Sequence, residues 1–308
     1  MKRGTMKVQR RIVKLALACL IAFGVIRPAF AGLQIELIYI ENPPQPGKLV
    51  QGGGELRDIM KVAAAQWERV FKRGGGNWKL TIEYGWNALR DANLFAQEYV
   101  VSEGGNNPSR IGHSCILFNT VPRIDPPLVG LFADPTPWDN SEYLNYTAEA
   151  INTEYGWLNV GRTFSEPTGL AANRKDILTM AMHEIGHALG LDDTYSGLLN
   201  QLPGAAGPFQ IKAPLPFAGS TFFLRQGPHI EAPNQDLPLM IAVAPIGERQ
   251  LISVTDALVL AQISSFSLPD LSEPPLDLND DGQSIPFRSV SSSSTCLVRP
   301  ADPDRGEW

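Results

Sequence analysis

Two histidines and a glutamate within residues 183–193 have the types and the spacing of a catalytic metal site. His183 and His187 are four residues apart, so on a helix both imidazoles leave the same face and can bind one Zn²⁺ at roughly 2.0–2.1 Å. Glu184 follows the first histidine, where its carboxylate can act as general base on a zinc-bound water without coordinating the metal. The stretch therefore predicts a hydrolytic zinc centre on a helix.

The third metal ligand can be either of two residues or a water. Gly190 lacks a Cβ and can adopt the left-handed conformation that ends a helix and turns the chain back. Such a turn would return Asp193 to the metal, with Asp192 beside it as a residue that has no ligand role. His229, on the loop that precedes Met240, is the alternative. We expect Asp193 to complete the site and keep His229 as the alternative ligand.

The first 31 residues have the pattern of a cleavable signal peptide. Seven of the 26 Lys and Arg of the chain lie in this segment, together with no acidic residue. The apolar run 15–26 is short for a membrane span, which needs about 20 residues. Ala29-Phe30-Ala31 offers small residues where a signal peptidase reads them, so cleavage is expected after Ala31. The chain is predicted to be secreted, extracellular or periplasmic, without a stable membrane anchor.

The composition after this segment restricts the partners. The remaining 277 residues hold 19 Lys and Arg against 32 Asp and Glu, a net charge of −13. Such a surface repels phosphate backbones and therefore excludes nucleic acid as an expected partner. Two cysteines remain, Cys115 and Cys296, which an oxidising compartment would allow to form a disulfide. The oligomeric state is not predicted.

Apolar periodicity predicts the elements that must position the site. Segments rich in apolar and β-branched residues are predicted as strands at 33–40, 78–84, 115–118 and 157–160. Apolar residues at helical spacing predict helices at 55–71, at 177–189 after the cap Asp176, and at 254–263 after a capping box formed by Ser253 and Asp256. Residues 194–239, with seven prolines and five glycines, are predicted to be irregular loops.

The chain beyond residue 268 has the composition of a flexible tail, rich in Pro, Ser and Asp. Within it, Asp277, Asn279 and Asp281 imitate the first half of a calcium loop. Arg288 stands at the twelfth position, where such a loop has a bidentate Glu, so a Ca²⁺ site here would lack one ligand. The predicted organisation is a signal peptide at 1–31, one domain at 32–268 and a tail at 269–308.

These motifs together resemble those of the metzincin zinc metallopeptidases. The resemblance rests on the run from His183 through the turn residue Gly190 to Asp193, on Met240 in a turn downstream, and on the final capped helix. It implies an α+β fold, with a mixed twisted sheet and the zinc-motif helix in an upper subdomain and an irregular lower subdomain. It also implies a zinc endopeptidase with protein or peptide substrates, in which Met240 forms an apolar floor beneath the metal.

Two departures from the family and two alternatives accompany the resemblance. Aspartate as third ligand is the snapalysin-like variant, and Ala242 stands where a tyrosine usually follows the turn methionine. A gluzincin-like peptidase would take its third ligand, Glu231 or Glu248, from a downstream helix, whereas both lie among residues predicted as loops. The other alternative is a secreted zinc-binding domain without peptidase activity, which would need a closed four-ligand site.

Overall fold

A computed structural model of the chain describes residues 32–40, 48–73, 76–89, 93–104, 109–120, 129–212, 217–225, 227–231, 238–267, 269–271 and 287–290, the last of these for the backbone only. The predicted signal peptide, Cys296 and the candidate calcium residues Asp277, Asn279 and Asp281 lie outside these ranges. Within the described part of the chain, no helix combines the length and the apolar composition needed to cross a bilayer.

Strands outnumber helices among the described elements. The strands are β1 (Leu33–Ile40), β2 (Val50–Gln51), β3 (Trp78–Asn87), β4 (Ala96–Glu103), β5 (Ile111–Asn119), β6 (Gly130–Phe132), β7 (Tyr143–Thr153), β8 (Gly156–Pro167), β9 (Arg174–Asp176), β10 (Gly207–Gln210), β11 (Thr221–Arg225), β12 (His229–Glu231), β13 (Arg249–Leu251) and β14 (Phe287–Val290). The helices are α1 (Leu56–Val70), α2 (Ile177–Ala188), α3 (Ser196–Leu199) and α4 (Val254–Ile263), with a 3₁₀ turn at Gly169–Ala171.

The largest sheet is mixed and has the strand order β14-β1-β3-β5-β4. Its first four strands run parallel, and β4 pairs antiparallel with β5. The connection from β1 to β3 contains α1, because parallel neighbours need a long crossover that a helix can fill. Three smaller sheets, β10-β11-β12, β13-β8-β7 and β2-β6-β9, complete the strands. The chain therefore belongs to the mixed α+β class, as predicted.

Helix α1 supports helix α2, which carries the predicted metal ligands. The two helices contact each other, and α2 also contacts β4 and β5. Trp67 of α1 is fully buried, and its indole N–H donates to the carbonyl oxygen of Met182 at 2.8 Å. Met182 directly precedes His183, so this hydrogen bond from α1 helps to fix the backbone from which the first histidine projects.

The N-termini of α2 and α4 are capped as predicted. The carboxylate of Asp176 accepts a hydrogen bond from the N–H of Thr179 at 3.0 Å and so begins α2. At α4, Ser253 and Asp256 exchange the reciprocal side-chain and backbone hydrogen bonds of a capping box. All residues of α2 are buried, which explains why polar groups on this helix must find partners inside the protein.

Several predicted elements are confirmed within a few residues of their expected bounds. The predicted strand at 33–40 is β1, the helix at 55–71 is α1, and the strand at 78–84 is the first part of β3. Residues 157–160 belong to the longer strand β8, which forms a hairpin with β7. Strand β7 is largely exposed, so its sequence lacks the apolar alternation by which a half-buried strand is recognised.

The segment 194–239 differs from the expectation of irregular loops. It contains α3 and the antiparallel sheet β10-β11-β12. In β11, Phe222 and Leu224 are buried while the residues beside them are exposed, which is the alternation of a half-buried strand. Gly207 and Pro208, two of the residues that suggested loops, begin the strand β10.

The tail also differs from its prediction. Strand β14, inside the segment 269–308, pairs in parallel with Leu37–Ile40 of β1 at one edge of the large sheet. The N–H of Asp270 donates to the carbonyl oxygen of Val70 at 2.7 Å, and its carboxylate pairs with Lys72 at 2.5 Å. These parts of the segment therefore belong to the domain. Backbone pairing at a distance of about 250 residues leaves no local trace in a Pro- and Ser-rich sequence.

Candidate metal centre

Three histidines from two parts of the chain meet at one point. His183 and His187 lie on α2, and His229 is the first residue of β12. One ring nitrogen of each lies within 4.8 Å of the other two. The Nε2 atoms of His183 and His187 are 2.8 Å apart, and the centroid of the His229 ring is 5.3 Å and 5.1 Å from those of the helical histidines. Such a group can bind a single metal ion.

Backbone carbonyls determine which nitrogen of each helical histidine faces the cluster. Nδ1 of His183 lies 2.8 Å from the carbonyl oxygen of Leu239, and Nδ1 of His187 lies 2.6 Å from that of Leu191. Because a carbonyl oxygen only accepts, each Nδ1 carries the proton and each Nε2 presents its lone pair to the cluster. This donor set fits a metal that prefers imidazole nitrogen, as Zn²⁺ does.

Burial keeps the rings of His183 and His229 in the neutral form that binds metals. Their exposed fractions are 0% for His183, 2% for His187 and 1% for His229. Burial, and then the neighbouring rings of His187 and His229, hold the pKa of His183 well below its usual value. Burial, and then His187, likewise lower the pKa of His229. Neutral imidazoles are the ligands that metal ions require.

Glu184 lies next to the first histidine on the same helix and is 1% exposed. At about 100° per residue, its side chain leaves the helix about 60° from the direction of His187. It leaves the helix about 100° from the direction of His183, so it flanks the two histidines on the side nearer to His187. In that position it can exchange a proton with a molecule held at the cluster.

Met240 packs against the turn of α2 that lies between the two histidines. A Cβ built on Gly186 would overlap the Sδ atom of Met240, so the close approach depends on glycine at this position. Met240 is fully buried. The polarizable thioether thus lies against the backbone that spaces His183 and His187.

The structure brings His229, and not Asp193, to the helical histidines. Gly190 has a φ of 125°, as the predicted turn requires, and the turn directs the Leu191 carbonyl to His187. Asp192 is buried and accepts hydrogen bonds from the N–H and the hydroxyl of Thr194. Asp193 is partly exposed and is not a member of the metal-ligand group. The geometry therefore favours the alternative ligand, His229, over the expected Asp193.

The remaining candidate residues lie elsewhere. Cys115, buried on β5, is disulfide-bonded, while its predicted partner Cys296 lies outside the described residues, so that pairing stays a prediction. Glu231 pairs with Arg225 at 2.6 Å, and neither it nor Glu248 is a member of the metal-ligand group.

A buried ion cluster at the start of α2 had no signal in the sequence. The Nε and Nη2 atoms of Arg249 lie 3.0 Å from the two carboxylate oxygens of Asp176, the cap of α2, and Nη2 also pairs with Asp134. All three side chains are buried. The cluster ties β13 and the residues after β6 to the N-terminus of the helix that carries the histidines. Asp176 and Asp134 lie 73 and 115 residues before Arg249 in the sequence, so no local pattern could reveal the cluster.

Comparison of the chain with protein-family models, with curated proteins and with solved structures finds no match. No relative therefore assigns a role to these residues, and their chemistry has to be inferred from the site itself.

Proposed function

We propose that this chain is a secreted zinc-dependent endopeptidase of the metzincin type, with His183, His187 and His229 as metal ligands and Glu184 as general base. The observation that carries the proposal is the convergence of three buried imidazoles, two of which lie on the helix that also carries the buried Glu184. Three protein ligands leave a coordination position for water or substrate, which distinguishes catalytic from structural zinc sites.

The chain's own residues account for the proton transfers of peptide hydrolysis. Bound Zn²⁺ would supply Lewis acidity and lower the pKa of water to about 7. Glu184 would accept a proton at a carboxylate oxygen as the water oxygen adds to the peptide carbonyl, and would return that proton to the departing amine. The carbonyls of Leu239 and Leu191 would keep the two helical rings oriented during both transfers.

The proposed location and substrate class rest on separate observations. Residues 1–31 have the charge and apolar pattern of a signal peptide, and the disulfide at Cys115 suits an oxidising compartment. The strongly acidic remainder of the chain disfavours nucleic acid. We therefore propose a protein or peptide substrate outside the cytoplasm.

One observation favours a second candidate function, a secreted zinc-binding domain without peptidase activity. The exposed fraction of the three histidines and of Glu184 is at most 2%, as in a closed structural site. A structural zinc site, however, has four protein ligands, and the metal-ligand group has three members among the described residues. A carboxylate placed beside the ligands is also unnecessary for a structural role.

Metal content and peptide cleavage by the wild type and by Glu184→Gln test the proposal. We expect one zinc per chain in both by mass spectrometry, and at least about a 100-fold loss of kcat/KM on a peptide library in the variant, because the general base is lost and the ligands remain. Glu149→Gln, on the exposed face of β7, is the matched control and should change neither quantity.

The outcomes separate the two candidate functions. Stoichiometric zinc without cleavage by the wild type, tested after removal of residues 1–31, would favour the binding domain. A wild-type chain that binds no zinc would contradict both. Near-native cleavage by Glu184→Gln would refute Glu184 as general base.

A further inference from the structure

The turn at Leu239 and Met240 contacts two of the three histidine segments through its backbone. The carbonyl oxygen of Leu239 is 2.8 Å from Nδ1 of His183. The carbonyl oxygen of Met240 accepts a hydrogen bond at 2.7 Å from the N–H of Ile230, the residue after His229. Adjacent carbonyls of one turn thus hold the first helical histidine and the strand that carries the third. Their directions depend on the backbone of the turn.

A single carboxylate holds this turn from the other side. The two oxygens of Asp256 accept hydrogen bonds from the N–H groups of Leu239 and Met240, each at 3.0 Å. Oδ2 also accepts from the N–H and the hydroxyl of Ser253, at 2.8 and 2.6 Å. Asp256 therefore joins the start of α4 to the turn, and it is fully buried.

The capping box alone does not explain the burial of this carboxylate. A buried carboxylate is costly unless hydrogen bonds satisfy it, and burial raises the pKa of Asp256 while its hydrogen bonds to Ser253, Met240 and Leu239 lower it. Capping needs only the local bonds to Ser253. The bonds to Leu239 and Met240 join residues 17 and 16 positions away, and they fix the conformation of the turn.

We infer that Asp256 is a positioning residue of the metal centre, which acts through the backbone of Leu239 and Met240 to orient His183 and the strand of His229. The inference rests on the proposed function in taking these histidines as metal ligands. Asp256 itself contacts neither the cluster nor a substrate. Its loss should therefore change the geometry and affinity of the metal site beyond its effect on folding.

Asp256→Asn and Ser253→Ala form a matched pair of variants. Asparagine keeps the shape of the side chain but replaces one acceptor by an NH₂ group, which cannot accept from the turn. Ser253→Ala removes the capping hydroxyl of the same helix and leaves the bonds from Asp256 to Leu239 and Met240. Both variants should melt at lower temperature than the wild type, because both weaken the start of α4.

Cobalt binding separates positioning from stability. In Asp256→Asn we expect Co²⁺ and Zn²⁺ affinity, measured by chelator competition, to fall about 10- to 100-fold, and the visible bands of bound Co²⁺ to shift. In Ser253→Ala both should match the wild type. A folded Asp256→Asn with the affinity and spectrum of the wild type would overturn the inference.

A second variant and the wild type keep the test decisive. If Asp256→Asn does not fold, Asp256→Glu, which moves the carboxylate by one methylene, should show a shifted Co²⁺ spectrum, and an unshifted one overturns the inference. A wild type that binds metal without cleaving peptides contradicts the proposed function, while the effect of Asp256→Asn on the spectrum would still support the inference. A wild type that cleaves peptides, together with an Asp256→Asn metal site unchanged in affinity and spectrum, would support the proposed function and overturn the inference.

Discussion

Two stretches of chain return to α2, the helix of His183 and His187, and each contributes to the candidate metal centre in a different way. The stretch after Gly190 turns back at the end of α2 and gives His187 a backbone carbonyl, from Leu191. The strand β12, some forty residues later, gives a side chain, that of His229. The first stretch is adjacent in sequence and the second is adjacent only in the fold.

The difference shows that nearness in sequence did not select the third candidate ligand. After Gly190, the buried carboxylate of Asp192 accepts a hydrogen bond from the N–H of Thr194 in the next turn. Asp193 is partly exposed. His229 is held by the pairing of β12 with β11 and by the hydrogen bond from Ile230 to Met240. Long-range pairing thus places the histidine where the local turn does not place an aspartate.

The largest effect should come from removing the candidate ligand of each stretch. His229→Ala should lower Zn²⁺ affinity by about 1,000-fold or more, because one of the three imidazoles that would bind the metal is lost, while Asp193→Ala should lower it less than about threefold. Competitive chelator titration measures both. If Asp193→Ala releases the metal and His229→Ala does not, the roles of the two stretches are reversed.

A smaller effect tests the packing against the helix of Met240, the residue whose carbonyl accepts a hydrogen bond from β12. Gly186→Ala should destabilise the metal-free protein by about 1–3 kcal/mol, because the new methyl overlaps Met240 in a filled core. In a Met240→Ala background the same substitution should be neutral or stabilising by up to about 1 kcal/mol, since alanine favours a helix over glycine.

Urea unfolding of the wild type, the two single variants and the double variant gives the coupling free energy between Gly186 and Met240. Equal effects of Gly186→Ala in both backgrounds would show that Met240 does not pack tightly against Gly186, and the helix would then have no contact with the turn at this position.

Local sequence was sufficient for the parts of the site formed within a few residues. The spacing of His183 and His187 predicted their common helix, and the caps at Asp176 and Ser253 predicted where helices begin. Each of these rests on interactions across three or four positions, which a single sequence displays. The glycine at 190 and its left-handed turn were predicted for the same reason.

The remainder could not be predicted because its interactions cross long stretches of chain. The strands of the sheet β10-β11-β12 are short, and the segment 194–239 that contains them is rich in proline and glycine, so its composition is that of loops. The pairs Arg249–Asp134 and Met240–Asp256 join residues 115 and 16 positions apart. Nothing in the sequence around His229 distinguishes a ligand on a strand from a histidine in a loop.

The smallest effect should come from Asp192, the carboxylate that the first stretch uses for its own turn. Asp192→Ala should lower the free energy of unfolding by about 0.5–2 kcal/mol, as the loss of a capping acceptor does, because the N–H of Thr194 would lose its buried partner. Asp192→Asn keeps an acceptor oxygen and should recover most of that loss. Zinc affinity should change less than about threefold in both variants, since the Leu191 carbonyl that faces His187 belongs to the backbone. Urea unfolding and chelator titration on the same samples measure the two quantities. A loss of zinc in Asp192→Ala comparable to that in His229→Ala would mean that the first stretch, too, serves the metal through a side chain.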